Sequence, residues 1–183
     1  MKEIKIALVG QSGSGKDTVA NYLTEKYWCT HVSSGDLLRA YVAEHTLGEP
    51  TKPVLNALGI TLRNKFGADF LVRMALEKHL PRLVLSGLRA VPEVEAFKKA
   101  GGVVIGITAP LRVRYERAKA RGNIDSNRSF EEFEKFEALE EKSRDPNAQN
   151  LSAVLQMADV VIENEGTREE LFGNVDEILK KQV

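Results

Sequence analysis

Apolar residues along this chain fall into two alternating patterns. Short, nearly continuous apolar runs occupy residues 4–9, 28–32, 82–86, 103–107 and 159–162. Each predicts a strand, and runs with so little polar alternation predict strands covered on both faces. Between them the apolar positions recur at helical spacing. Helices are predicted from about residue 18, over 33–45, 53–66, 70–79, 92–100, 110–121, 129–142 and 151–157, and after Thr167. Start and stop signals agree. Ser33 with Asp36, Ser129 with Glu132, and Thr167 with Glu170 have capping-box spacing. Pro53 and Pro110 suit first turns, Asp69 suits a cap, and Gly67, Pro81, Gly101-Gly102 and Gly122 suit stops. Loops are predicted at 46–52, 122–128 and 145–147. Strands alternating with helices predict a parallel sheet between helix layers. In such sheets ligands gather beyond the carboxyl ends of the strands.

Composition narrows the function. The 183 residues read as one domain, 1–183, with a mobile insert. Lys plus Arg and Asp plus Glu stand at 26 each. No global field draws the chain to nucleic acid or anionic lipid, so neither partner is expected. Cys29 is the one cysteine, which rules out an internal disulfide and fits a cytoplasmic setting. The first strand begins almost at Met1, leaving no room for a signal peptide. No apolar run of about 18 residues is present to span a membrane. Oligomeric state is not legible.

The chemistry concentrates at strand ends. After the first strand comes Gly10-Gln11-Ser12-Gly13-Ser14-Gly15-Lys16-Asp17-Thr18, opening directly into a helix. Three glycines let the backbone turn its N–H groups inward as an anion-binding concavity, and the helix adds its unpaired amides. Lys16 brings a full positive charge to outer phosphates, so a nucleoside triphosphate is the expected occupant. Serine or threonine, the usual magnesium-binding hydroxyl, is replaced here by Asp17. The second strand is followed by Ser33-Ser34-Gly35-Asp36-Leu37-Leu38-Arg39 and the third by Ser86-Gly87-Leu88-Arg89. Arg39 and Arg89 aimed at one crevice suit a second phosphate, because guanidinium matches phosphate with paired N–H bonds. Arg114, Arg117 and Arg121 share one helix face ahead of Gly122, as a lid closing over a triphosphate would require. Arg128 and Arg144 are weaker candidates. The acidic residues 131–141 read as the solvated side of a helix whose Phe130, Phe133 and Phe136 pack inward. His31, His45 and His79 have no metal-ligand spacing.

With these positions the chain resembles the nucleoside monophosphate kinase group of phosphate-loop proteins over nearly all its length. Residues 33–39 look like the adenylate kinase segment whose arginine holds the acceptor's phosphate, and Arg89 matches the second phosphate arginine. The Gly15-Lys16-Asp17-Thr18 ending is similar to phage deoxynucleoside monophosphate kinases and phosphomevalonate kinases. The stretch from Arg117 through residues 162–171 looks like dephospho-coenzyme A kinases. The resemblance implies a three-layer α/β/α P-loop NTPase fold with a five-stranded parallel sheet and a central first strand. It implies an acceptor-binding helical arm over 40–80 and a lid over 122–150. The implied reaction is transfer of the γ-phosphoryl of Mg-ATP to a small phosphorylated acceptor, foremost a (deoxy)nucleoside monophosphate. ATP is bound by residues 10–18 and the acceptor by Ser34, Gly35, Asp36, Arg39 and Arg89. Lys16, Arg89, Arg117 and Arg121 stabilise the transferring group. Relatives carry an aspartate where Ser86 stands, so Asp17 either supplies the missing magnesium-binding carboxylate or only caps its helix. Two alternatives stay open. One is phosphorylation of a hydroxyl, as in dephospho-coenzyme A, with Asp36 as base. The other is a nucleotide-dependent switch or ATPase that phosphorylates no small molecule.

Overall fold

The computed structural model describes residues 3–120, 122, 128–140 and 150–182. The elements are β1 (Ile4–Val9), α1 (Lys16–Tyr27), β2 (Thr30–Ser33), α2 (Ser34–Glu44), α3 (Lys52–Phe66), α4 (Phe70–Leu76) and β3 (Arg82–Ser86). They continue with α5 (Val91–Lys99), β4 (Val103–Thr108), α6 (Leu111–Ala120), α7 (Phe130–Glu140), α8 (Leu151–Gln156), β5 (Val160–Glu163) and α9 (Arg168–Gln182). The strands form one parallel sheet in the order β2-β3-β1-β4-β5, with β1 central. The chain moves from β1 out to β2, returns to β3, then crosses to β4 on the other side. A crevice therefore opens at the carboxyl ends of β1 and β3, where the winding reverses.

Both sheet faces are covered, which is why the strands carry so few polar residues. Ile4, Ile6 and Leu8 of β1 pack with Val84, Ile105, Ile107 and Ile162 under α1 and α9. Ala7 and Val9 point the opposite way, with Leu83, Leu85 and Val104, into a core closed by α2–α5 and α8. Tyr115 and Ala118 of α6 form a smaller cluster with Phe133 of α7.

Several element ends differ from expectation for local reasons. The strand predicted over 28–32 starts at Thr30, because Trp28, 79% exposed, ends α1 in the left-handed conformation (φ 58°). The helix predicted to residue 79 stops at Leu76, and His79 takes φ 49°. Asp69 makes no side-chain cap there and instead lies 3.7 Å from Arg73. The last strand begins one residue later than expected. Asp159 accepts the Val104 N–H at 2.8 Å and the Lys98 ammonium at 2.7 Å, which pins the start of β5 to β4 and α5. All three capping boxes form.

The carboxyl-terminal helix is tied to α1 by one carboxylate. Asp176 accepts hydrogen bonds from Tyr22 at 2.6 Å, Tyr27 at 2.8 Å and Lys26 at 2.7 Å, and Phe172 stacks on Tyr22 with ring centroids 4.0 Å apart. Burial alone would raise the Asp176 carboxyl, but the bonds from Lys26 and the two tyrosines outweigh it and hold it at about 2. Burial and the Asp176 hydrogen bond push the Tyr27 phenol up to about 12. Folding thus favours the ionised carboxylate. Its stabilising contribution is complete above its ordinary value of 3.8 and disappears as the pH falls through about 2. Asp176→Asn is expected to lower the melting temperature at pH 7, with the gap from wild type narrowing steadily between pH 4 and pH 2. A gap independent of pH would show that the carboxylate's charge has no part in the tie.

Candidate functional site

The loop from Gly10 to Gly15 is shaped by what packs behind it. Gly10, Gly13 and Gly15 have φ of 148°, 77° and 108°, a region that side-chain-bearing residues rarely enter. Space is equally restrictive. A Cβ at Gly10 would overlap the Ile107 carbonyl oxygen, and one at Gly15 would overlap the Asn164 amide. At Gly13 it would stand 2.8 Å from the Arg114 carbonyl oxygen. The loop is therefore pressed against β4, the start of α6 and the end of β5. Asn164, 7% exposed, donates to the Ser14 carbonyl at 2.8 Å while its own N–H bonds Thr108. Lys16 lies across the loop, its ammonium 2.8 Å from the Gln11 carbonyl. Ser14 is fully buried, and its hydroxyl makes no hydrogen bond among the described residues. Ser12 and Asp17 are exposed, and Thr18 lies in the first turn of α1.

A cavity of about 540 Å³ runs from this loop to the carboxyl ends of β2 and β3. Gly10, Ser12, Lys16 and Asp17 line one end, and Ser34, Gly35, Arg39, Ser86 and Arg89 line it further on. Residues 33–39 and 86–89 thus meet the loop in one space, because β2 and β3 are neighbours in register Ser33 to Ser86. The side chains differ in how tightly they are held. Ser34 is buried and donates to the Gly87 carbonyl at 3.1 Å, clamping the start of α2 to the end of β3. Asp36 caps α2: its carboxylate accepts from the Ser33 hydroxyl at 2.6 Å and from Arg39 at 2.6 Å. The Ser33 hydroxyl is the main influence holding the Asp36 carboxyl below the usual range, against the effect of burial, and Arg39 reinforces it. Arg39 and Asp36 are about half exposed, at 50% and 55%. An exposed pair of that kind is worth only about 0–1 kcal/mol and exchanges partners readily. The Ser86 hydroxyl is 2.8 Å from His31 Nε2, so His31 has a partner at the site's edge.

One arginine behaves unlike the sequence expectation. Arg114 does not share an open cationic face with Arg117. It is 4% exposed, forms an ion pair with the buried Glu137 of α7 and donates to the Ala109 carbonyl at 3.1 Å. The reading of Glu137 as a solvated acid is corrected with it: a buried guanidinium demands a buried carboxylate. Arg117 is half-buried with a guanidinium nitrogen 3.5 Å from the Gly13 carbonyl, against the loop. Arg121 and Arg144 lie outside the described residues, as does much of the 122–150 insert. Of that insert, α7 packs on α6 and Asn150 caps α8.

Sequence reasoning gave no role to Arg63, Glu93 or Asn164. Glu93 is fully buried. One of its oxygens accepts the N–H groups of Arg89 at 2.7 Å and Ala90 at 3.1 Å. The other accepts Arg63 Nε at 3.0 Å and lies 2.9 Å from its Nη2. The signal was present in α3: Arg63 falls on the apolar stripe of Leu55, Gly59 and Leu62, where a charge has no business unless a partner waits across the interface. For Asn164, position just beyond a strand end was the available clue. No three His, Cys, Asp or Glu side chains among the described residues are grouped as a metal site.

Known proteins share the family and the fold of this chain. The family model described as an AAA domain matches residues 6–142. The UPF0200/UPF0201 protein of Archaeoglobus fulgidus is 36% identical over 96% of this chain, which spans about half of that protein's length (55%). The UPF0200 protein of Thermococcus onnurineus is 32% identical over 96% of both chains. Among solved structures, TT1252 from Thermus thermophilus matches with a TM-score of 0.64 at 21% identity over 100% of both chains. Shikimate kinase from Bacteroides thetaiotaomicron matches with a TM-score of 0.64 at 17% identity, over 97% of this chain and 98% of that one. The fold is the α/β P-loop NTPase-like fold that these kinases share, and the chain belongs to the AAA domain family and to the UPF0200 proteins.

Proposed function

We propose that the protein is an ATP-dependent phosphotransferase that moves a γ-phosphoryl group to a small phosphorylated acceptor, foremost a (deoxy)nucleoside monophosphate. One observation carries the reading: Lys16 at the phosphate loop and Arg39 and Arg89 at the far side line the same cavity. A switch or simple ATPase has no use for a second phosphate clamp. In this reading the amides of residues 10–18 cradle the donor, and Lys16 turns from the Gln11 carbonyl to the outer phosphates. Arg39 leaves its exposed pairing with Asp36 and, with Arg89, holds the acceptor phosphate. An acceptor phosphate oxygen attacks the γ-phosphorus, the bond to the β–γ bridging oxygen breaks, and ADP leaves. Catalysis rests on positioning and charge stabilisation, to which Arg117, beside Gly13, and Arg121 contribute.

The donor side fits a magnesium ion. Asp17 lines the cavity beside Lys16, and magnesium takes few protein oxygens and keeps several waters. Its chemistry there is to neutralise charge on the outer phosphates. Asp17 stands in for the carboxylate that Ser86, bonded to His31, does not supply.

A hydroxyl acceptor is the second reading, prompted by the shikimate kinases that share the fold. It would require a base, and Asp36 is the carboxylate at that rim. A carboxyl held low by Ser33 and Arg39 is a weak base, which favours the phosphate acceptor.

ADP release from Mg-ATP is expected to depend on one member of a panel of ribo- and deoxynucleoside monophosphates and dephospho-coenzyme A. Release without an acceptor would move the assignment to an ATPase. Arg39→Ala and Arg89→Ala should each raise the acceptor KM by about ten- to a hundredfold, with the ATP KM changed by less than about threefold. Asp17→Ala should raise the magnesium concentration for half-maximal turnover by roughly tenfold; an unchanged requirement would reduce Asp17 to a helix cap.

A further inference from the structure

We infer that Arg63 is a third recognition arginine of the acceptor side, reading an uncharged hydrogen-bond acceptor on the end of the substrate remote from its phosphate. The inference rests on the phosphotransferase reading and names what that substrate must carry. Arg63 is 7% exposed and its partner Glu93 is fully buried. Glu93 is saturated: Arg63 Nε and Nη2 meet one oxygen, and the Arg89 and Ala90 amides meet the other. Separating the two charges would strand both in the core, so the pair stays made when substrate enters. Arg39 is the opposite case, half exposed and free to trade Asp36 for phosphate. Arg63 therefore does not compete for the phosphate. Its charge is balanced, and what remains is a directional donor.

That donor is Nη1. It makes no hydrogen bond to the described residues. It lies against Gly59, where a Cβ would stand 3.2 Å from it. Gly59 and Arg63 both line the cavity, beside Leu38, Leu55 and Asn56. Gly59 sits inside α3 with no positive φ to require it, and alanine would favour the helix. Its missing side chain leaves room beside Nη1, which a Cβ would crowd. A charge-balanced donor flanked by leucines suits the carbonyl oxygen or ring nitrogen of a flat base, and suits a second anionic group poorly.

Removing Arg63 would leave Glu93 unpaired in the core and could unfold the chain, so Gly59→Ala carries the test. Its methyl would cover Nη1 from the cavity side and leave the Arg63–Glu93 pair in place. Calorimetric titration of the full chain would use CMP, UMP, AMP and GMP against ribose 5-phosphate, which keeps the phosphate and sugar and lacks the base. At least one nucleotide should bind wild type about tenfold or more tightly than ribose 5-phosphate, and Gly59→Ala should abolish that advantage while ribose 5-phosphate changes less than about twofold. The Gly59→Ala melting temperature should stay close to that of wild type, since Arg63 Nη1 and Leu38 Cδ1 need give by only a few tenths of an ångström. A nucleotide advantage that survives Gly59→Ala overturns the role of Arg63. Equal binding of nucleotides and ribose 5-phosphate to wild type, both weakened by Arg39→Ala, also overturns it and leaves the phosphotransferase reading intact. Binding of none of these, with no acceptor-dependent ADP release, overturns both.

Discussion

The structure depends first on the close packing behind one glycine-rich turn. Gly10, Gly13 and Gly15 each face a neighbour that a methyl group would strike: the Ile107 carbonyl, the Arg114 backbone and the Asn164 amide. Those neighbours come from β4, α6 and the segment after β5. The loop can curl its amides inward only if these elements arrive in place, and they can approach only if the loop has no side chains at those points. Asn164 closes the arrangement by bonding the Ser14 carbonyl. The local motif and the global fold are thus mutually conditional, and a phosphate-binding concavity is the product of both.

Burial then sorts the charged residues by the work open to them. Arg63 with Glu93 and Arg114 with Glu137 are buried pairs that join elements: α3 to α5 in one case, α6 to α7 in the other. Arg39 with Asp36 is half exposed. In the interior an ion pair cannot be parted without leaving a bare charge, whereas at the rim water compensates either partner. Residues of the same type are therefore locked in place or open to exchange according to their depth below the surface. Arg89 stands between. Glu93 holds its backbone N–H, the Asn150 N–H bonds its carbonyl, and the residue lines the cavity.

Much of the fold was legible because its signals are local. Apolar runs without alternation marked strands covered on both faces, and β1, β3 and β4 fall where those runs lie. Ser33, Ser129 and Thr167 marked helix starts through contacts three residues long. Where one local signal competes with another, the sequence pattern points the wrong way. Trp28 has strand propensity yet serves as the left-handed end of α1. The loop at Gly10 and the arginines at 39 and 89 could be singled out because strand ends converge in any parallel sheet of this kind.

The sequence by itself determined the alternation of strands and helices, the glycine-rich phosphate-loop motif and the strand ends at which polar and charged residues gather. These follow from backbone sterics, side-chain periodicity and contacts within a few residues. The tertiary structure alone decided which carboxylate meets which guanidinium. Arg63 and Glu93 are separated by 30 residues and Arg114 and Glu137 by 23, and nothing in their immediate neighbours specifies the partner. A charge on a helix stripe announces that it needs a mate, but the mate is chosen by how helices pack on a shared sheet, and only there do depth and distance settle whether an arginine is held or available.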